Sequence, residues 1–477
     1  MKDVVHSWHS RGVDARQILD ALDPDQRTVA ETLGAPVAVI AGPGTGKTKT
    51  MTHRLAYAAE IGALDPRATL AVTFTTAAAA EMKQRLEAMG IAGVQSRTFH
   101  SAALRQAQYF WPQAYNATLP RVEDRNQGLI LQACQRVGLR ATDAMVRQLA
   151  TEISWTKQSN VVPEEYVELA RIDHRDVWHV SLDDVADILV AYEEAKQAAC
   201  VIDLDDLLLC TVALLATQPD VARHVRSTYR HFIFDEFQDV SPVQARLAEL
   251  WVGSRTDVCV VGDPGQTIHS FAGSRSVYLE TFAVSRPGCV GLELTRNYRS
   301  TPQIIDAANR VTRSGVTLRP IAESGAEVEM RGYADPMEEA AATIDWLTDL
   351  HQEGVSWDEM AVLCRTHGLT DPVRRALVAA KIPFQYHVTD DDPTRPGVHV
   401  GTLHSSKGLE WDAVALVGVH DGAVPHPLAA TRAQIEEERR LLYVGMTRPR
   451  SRLRITWPTG AQGRATPPSR FLADIMG

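Results

Sequence analysis

Three glycines, a lysine and several hydroxyls crowd into AGPGTGKTKT, residues 41–50, directly after the apolar run PVAVI. A backbone so bare at Gly42, Gly44 and Gly46 lets its N–H groups wrap inward around a bulky anion. Lys47 adds a mobile positive charge, and Thr48 offers a hydroxyl to a magnesium ion at the start of the next helix. Pro43, Thr45 and Lys49 complete the cradle. Ala41 stands where the strict pattern has glycine, yet the lysine and hydroxyl keep their register. The ligand this chemistry implies is a nucleoside triphosphate.

Further along, HFIFDEFQDV (231–240) reads as a buried strand ending in Asp235 and Glu236. Beside a phosphate cradle the first carboxylate can hold magnesium and the second can take a proton from the attacking water. In DVCVVGDPGQTIHSFAGS (257–274) a strand ends at Gly262-Asp263, and the neutral amide of Gln266 follows on a loop, where it can sense a terminal phosphate. Arg299 in LTRNYRS and Arg448 in ERRLLYVGMTRPR each follow an apolar run. A guanidinium fork suits the charge that spreads over a phosphoryl group in transfer. The two arginines are expected in different strand sets. A nucleotide that meets both would sit between two domains, and its hydrolysis would become motion.

These residues need a scaffold, and the chain supplies two sets of short apolar strands separated by helical patterns. PVAVI, ATLAVTFT, HFIFDE, DVCVVGD and VGLEL form the first; AEVEMRGY, MAVLCRT, GVHVGTLH, AVALVGVH and LRITW form the second. Such alternation predicts α/β domains with parallel sheets. Residues 101–203 read instead as helices without strands, an all-helical insertion into the first sheet domain. The polar, proline-containing stretch 387–398 reads as a loop.

Bulk properties narrow the class. A chain of 477 residues suggests about three domains. The formal charge of −10 argues against coating nucleic acid by bulk attraction, so any nucleic-acid site must be a local groove. Seven arginines lie between Arg432 and Arg454; standing alone they would read as a solvated helix face balanced by Glu436, Glu437 and Glu438. The six cysteines are scattered without a Cys-x-x-Cys, signalling neither zinc nor an iron–sulfur cluster. No apolar run reaches membrane-span length and the N-terminus lacks a signal-peptide core, so the expected location is cytoplasmic.

In this order the stretches resemble the UvrD/Rep/PcrA group of superfamily 1A DNA helicases. LDPDQRTVA (22–30) resembles its adenine-reading glutamine motif. AGPGTGKT and FIFDEFQDVSPVQ resemble motifs I and II, AVTFTTAAAAEMKQRL (71–86) and RTFHS (97–101) motifs Ia and Ib. VVGDPGQTIHSFAGS resembles motif III, LTRNYRS motif IV, VGTLHSSKGLEWDAV (400–414) motif V and EEERRLLYVGMTRPR motif VI. IDLDDLL (202–208) resembles the return from the helical insertion, and PPSRFLADI (467–475) the family's closing segment.

The resemblance implies two RecA-like parallel-sheet motor domains, the first over 1–105 and 204–296 and the second over 297–477. The helical accessory domain would span 106–203. The family's second accessory domain would be replaced by the short loop near 387–398. It implies that Gln26 and Tyr298 hold adenine and that Ala41 through Lys49 cradle the phosphates. Thr48 and Asp235 would hold Mg2+, and Glu236 would activate water. Gln266, Arg299 and Arg448 would meet the γ-phosphate, and Glu410 the ribose. Phe74, His100, Phe271, Thr402 and His404 match strand-contacting positions, with stacking on Phe74 and Phe271 blind to sequence.

The DNA side departs from the family. Thr76-Ala77 replace the usual Asn-Lys, Ala80 a later arginine, and His269 and Ala272 the usual tyrosine and arginine. The expected activity is ATP-dependent translocation on single-stranded DNA with 3′→5′ polarity, and a role in DNA repair fits the family. The alternative is a motor or regulatory subunit of a DNA-processing or phage-defence complex with a partner nuclease, a weak helicase alone. A small-molecule P-loop kinase fits motif I but not the two arginine motifs.

Overall fold

The computed structural model describes residues 14–476 apart from 178, 314, 387–395 and 462–463. The expected loop at 387–398 and the N-terminal stretch therefore lie largely outside the described residues. Two compact units make up the chain. The first contains the residues up to Val39, Thr48–Gly262 and His269–Leu292; the second contains Ile40–Lys47, Asp263–Ile268 and the residues from Glu293 onward.

The first sheet has six strands: β1 (Val37–Ala41), β2 (Thr69–Thr73), β3 (Gln95–Thr98), β4 (His231–Phe234), β5 (Val258–Gly262) and β6 (Val290–Leu294). Their order across the sheet is β3-β2-β4-β5-β1-β6. β2 pairs in parallel with β3 and β4, and β4 with β5. Every residue of β2 and β5 is buried, as strands covered on both faces must be.

Within this unit, helices Gln127–Arg136, Asp143–Gln158, Pro163–Ile172 and Leu182–Ala199 share their own apolar core. Val146, Leu149 and Ile153 of one helix share this core with Val185, Ile188, Leu189 and Tyr192 of another, both sets at helical spacing. The reading of 101–203 as strand-free needs one correction. Arg121–Val122 and Val201–Ile202 pair in parallel, which ties the entry of the helical segment to its exit.

That exit is held by a buried ionic network. Lys157 Nζ meets Asp203 Oδ2 at 2.5 Å and Asp206 Oδ1 at 2.6 Å. Lys196 pairs with Asp206 and Glu193, and the Tyr192 hydroxyl donates to Asp203 at 3.0 Å. Asp203 also caps helix Leu204–Thr217, accepting from the Asp206 N–H at 2.8 Å.

The second sheet is parallel throughout, in the order β7-β12-β11-β8-β10-β9. Its strands are β7 (Glu329–Tyr333), β8 (Met360–Cys364), β9 (Phe384–Tyr386), β10 (Val398–Thr402), β11 (Trp411–Leu416) and β12 (Pro449–Pro458). Period-two alternation divides the side chains between two cores. Ala361, Leu363, Val414 and Leu416 pack with residues of helices Pro302–Val311 and Arg432–Met446. Met360, Val362, Ala413 and Ala415 pack with residues of helices Pro336–Gln352 and Asp371–Ala380. The chain is thus α/β, with two parallel sheets of the RecA-like kind. Among the described residues no helix is long and apolar enough to cross a membrane.

Candidate functional site

The cradle residues from Ala41 to Lys47 belong to the second unit and are shaped there by residues far away in sequence. Gly44 and Gly46 adopt left-handed φ of 69° and 77°. A Cβ on Gly44 would stand 2.5 Å from Asn297 Nδ2 and 2.8 Å from Arg299 Cβ, so only glycine fits. Asn297 Nδ2 donates to Pro43 O at 2.7 Å, and the Tyr298 N–H donates to Gly44 O at 2.9 Å. The Thr45 hydroxyl donates to Gly42 O at 2.8 Å, and Lys47 Nζ lies 3.4 Å from Ala41 O.

Asn297 is fully buried, and its Oδ1 accepts from the backbone N–H of Arg299 and Ser300. This turn aims Tyr298, 46% exposed, outward, as a ring that stacks on a base must be. It also places Arg299, whose guanidinium donates to Thr447 O at 3.2 Å and pairs with Glu410 at 2.5 Å. Burial pushes the Glu410 carboxyl up, but Arg299 and Arg450 outweigh it and hold the group below its usual value.

Arg448 is 2% exposed. It donates from Nε to Val444 O at 2.8 Å, from Nη1 to Leu409 O at 3.3 Å, and from Nη2 to Gln266 Oε1 at 3.2 Å. The Gln266 amide is used at both ends, since its Nε2 donates to Asp263 Oδ2 at 2.9 Å. Lys407 Nζ bonds Gln266 O, and Arg440 Nε bonds Thr267 O. Ala41 to Lys47 of the cradle, Gln266, Tyr298, Arg299, Glu410 and Arg448 therefore share one unit.

Two expectations change here. Arg299 and Arg448 do not follow separate strand sets: the chain beyond Asn297 docks onto β12, with Ser300 Oγ donating to Pro449 O and the Thr301 N–H to Arg450 O. The arginine-rich tail is also no solvated stripe. Arg439 pairs with Asp474, Arg450 with Glu410, Asp412 and Glu359, and Arg454 reaches the Tyr333 hydroxyl.

Thr402 ends β10 and shares a turn with Ser405, whose N–H donates to Thr402 Oγ1 at 3.2 Å. His404 is half-buried in that turn.

The first unit holds the remaining predicted residues. Gln26 is buried at the third position of helix Pro24–Glu31, where it completes a capping box with Asp23. Thr48 and Lys49 open helix Lys47–Glu60, and Lys49 Nζ donates to Ala21 O at 2.6 Å. Asp235 and Glu236 follow the carboxyl end of β4, where parallel sheets place their ligands. Glu236 has a left-handed φ of 52°, and its carboxylate accepts from Gln238 Nε2 at 2.5 Å. Gln238 is fully buried and so fixes the direction of Glu236.

Also in this unit, Phe74 and Phe271 are 42% and 46% exposed. His269 lies between them, stacked with Phe74 at 6.2 Å between centroids and edge-on to Phe271 at 5.8 Å. The loop bearing Phe271 is tied to the helical segment: Arg175 Nη2 donates to Phe271 O at 3.2 Å. Arg175 is itself gripped by both Glu152 oxygens and lies over the Trp155 ring at 4.2 Å. His100 sits in the first turn of helix Phe99–Tyr115; burial lowers its pKa against the pull of Asp205.

Asn297, Gln238, Asp263 and Arg175 were not singled out from the sequence. Asn297 and Gln238 lie inside quoted motifs, and Asp263 ends a predicted strand. Arg175 carried no local signal.

Comparison with known proteins agrees with this arrangement. Residues 22–285 match the UvrD/REP helicase N-terminal domain, and residues 292–390 and 386–460 match the UvrD-like helicase C-terminal domain. The chain is 33% identical to the ATP-dependent DNA helicase UvrD2 of Mycobacterium tuberculosis over 576 residues, covering 96% of this chain and 82% of the relative. It is 31% identical to UvrD1 of the same species over 392 residues, which is 78% of this chain and 50% of UvrD1. It is 24% identical to the putative ATP-dependent DNA helicase YjcD of Bacillus subtilis over 626 residues, 95% of this chain and 81% of YjcD. With both motor domains of the family matched and its motif side chains seated on two parallel sheets, the chain belongs to the UvrD-like family of ATP-dependent DNA helicases.

Proposed function

We propose that this protein is a compact motor that hydrolyses ATP to step 3′→5′ along single-stranded DNA in the cytoplasm. The observation that carries the reading is the Asp263–Gln266–Arg448 chain of hydrogen bonds in the unit that holds the phosphate cradle. A γ-phosphate contacted by Gln266, Arg299 and Arg448 would couple its own loss to these side chains. Lys47 and the cradle N–H groups from Ala41 to Lys49 bind the phosphates in this scheme. Gln26 and Tyr298 hold the adenine, Glu410 reaches the ribose, and Glu236, aimed by Gln238, takes the proton of the attacking water.

The Thr48 hydroxyl and the Asp235 carboxylate are hard oxygen donors that fit Mg2+, which when bound neutralises charge on the phosphates. The proposal keeps the nucleotide between the two motor domains, with both guanidiniums supplied by the second.

Phe74, His269 and Phe271 offer a stacking surface for bases in the first unit, and His100, Thr402 and His404 are the further residues proposed to contact the strand. Phe271→Ala is expected to weaken binding of oligodeoxythymidylate by about 1–3 kcal/mol, the value of one base–aromatic stack. Fluorescence anisotropy reads this directly, and an unchanged Kd removes Phe271 from the strand path.

The match to UvrD2 runs over 576 residues although this chain has 477, and the C-terminal family domain is met in two segments joining at 386–390. Both support a motor whose second accessory domain is reduced to the segment near 387–398, beside the helical accessory domain at 106–203. The polarity and the separation of duplex are tested together on 3′-tailed and 5′-tailed duplexes. Displacement of the 3′-tailed duplex alone is expected; preference for the 5′ tail overturns the polarity.

A second reading is favoured by Thr76, Ala77 and Ala80 in helix Thr76–Ala88, where the family resemblance implies asparagine, lysine and arginine. A motor with so bare a strand-facing helix would lean on a partner such as a nuclease. DNA-stimulated ATPase without displacement of either tail supports that reading.

A further inference from the structure

Phe271 lies on a single 3-10 turn, Ser270–Ala272, in which no residue is buried. The place of its exposed ring therefore depends on what holds the backbone of the turn. Gly273 closes the turn at a left-handed φ of 93°, and a Cβ there would stand 3.2 Å from both Gln158 Cβ and Ser159 Oγ. The turn is thus pressed against the carboxyl end of helix Asp143–Gln158 of the helical segment. That helix end is itself fastened: Gln158 accepts from Ser241 Oγ at 2.5 Å and donates to Asp205 Oδ1 at 2.6 Å. Beyond the turn, Ser274 Oγ donates to Asp239 O at 2.7 Å and the Arg275 N–H to Val240 O at 3.1 Å.

The same helix aims a guanidinium at the turn. Glu152 is 3% exposed and takes Arg175 with both oxygens, Nε at 2.7 Å and Nη2 at 2.8 Å. The Tyr166 hydroxyl donates to Glu152 Oε1 at 2.9 Å, and burial together with Glu152 raises that phenol, so it stays a donor. The Trp155 ring supports the guanidinium from one face at 4.2 Å. A planar fork gripped on one edge and one face keeps a fixed direction. Here that direction brings Nη2 to Phe271 O at 3.2 Å.

We propose that Arg175 is a positioning residue for the stacking surface, through which the helical segment sets the affinity for single-stranded DNA. The proposal rests on the reading of Phe271 as a strand contact given above. Arg175 holds the Phe271 carbonyl, and a ring presented in place spares an incoming base the cost of ordering the turn. Glu152 is buried away from any strand and acts only by holding Arg175.

Fluorescence anisotropy with oligodeoxythymidylate on the full chain tests it, using Arg175→Met and Glu152→Gln. Glu152→Gln makes the chain less negative, so bulk attraction alone would tighten binding. Positioning predicts the reverse: each variant is expected to bind about three- to tenfold more weakly. ATPase without DNA should be unchanged in both, which shows that they fold. In the Phe271→Ala background the same substitutions should add less than about a twofold loss, because they act through that ring. The slope of log Kd against log salt should stay at the parent value in Arg175→Met. A slope reduced by about 0.7 makes Arg175 a direct phosphate contact and overturns the positioning role. Parent-like affinity in both variants, or losses that persist in full without the ring, overturns it as well, while a weakened Phe271→Ala still upholds the strand path. A Phe271→Ala variant that binds as the parent does overturns the strand path and this proposal together.

Discussion

Arg448→Ala is expected to lower the ATP turnover number by about 10³–10⁵-fold while leaving ATP affinity within about tenfold. A guanidinium that meets the γ-phosphate works mostly on charge that develops in the transition state, so its removal lowers kcat rather than binding. The geometry sharpens the expectation. Arg448 is held by backbone carbonyls at Val444 and Leu409 and by Gln266, so the side chain is already placed before any nucleotide arrives. Lysine keeps the charge but not the fork, and Arg448→Lys should recover only part of the loss. Gln266→Ala shares the same bond, so the double variant should lose less than the two single losses combined. Stopped-flow binding of a fluorescent ATP analogue beside steady-state hydrolysis separates the outcomes. Equal loss of binding and turnover, with an unchanged melting temperature, would falsify the assigned role.

Asp203→Ala is expected to destabilise the first unit by about 2–4 kcal/mol, because it removes a charged hydrogen bond to buried Lys157 together with a helix cap, while both lysines keep Asp206 and Glu193. Native stability is commonly about 5–15 kcal/mol, so this is a large share. Asp203 is buried, meets Lys157 at 2.5 Å, and caps helix Leu204–Thr217, so one substitution removes a charge partner and a cap together. Asp203→Asn keeps the capping oxygen and should cost less.

The pH dependence follows from the same pair. Burial raises Asp203, but Lys157 and Lys196 outweigh it and its carboxyl is lowered. Its contribution is complete above about pH 4, the unfolded value, and fades as pH falls through the lowered folded value. Burial lowers Lys157, but Asp203, Asp206 and Glu193 raise it well above the ordinary value. That contribution is complete below about pH 10 and fades as pH climbs to the raised value. Urea titrations from pH 3 to 11 read both limbs. A variant within about 0.5 kcal/mol of the parent sinks the network as a stabilising element.

The interior strands were legible because burial on both faces writes an uninterrupted apolar run, as in MAVLC and VCVVG. β3 and β9 were not. QSRT and FQY are short edge strands that pair on one side only, and neither has enough apolar residues to announce itself. Motif residues such as Lys47, Asp235 and Arg448 were readable because their chemistry is concentrated in short segments. Their supports were less so. Asn297 meets Pro43 across 254 positions, and Arg175 meets Phe271 across 96, separations over which a local pattern carries no signal.

Gly44 has room only for a hydrogen because Asn297 and Arg299 press against it. The anion loop is thus cast in a mould that the chain supplies long afterwards. A ribosome that has reached residue 290 has made the loop without Asn297 and Arg299, which shape it. Triphosphate capture at the site proposed above would then be a late event of biosynthesis, expected only once Asn297 and Arg299 have been made.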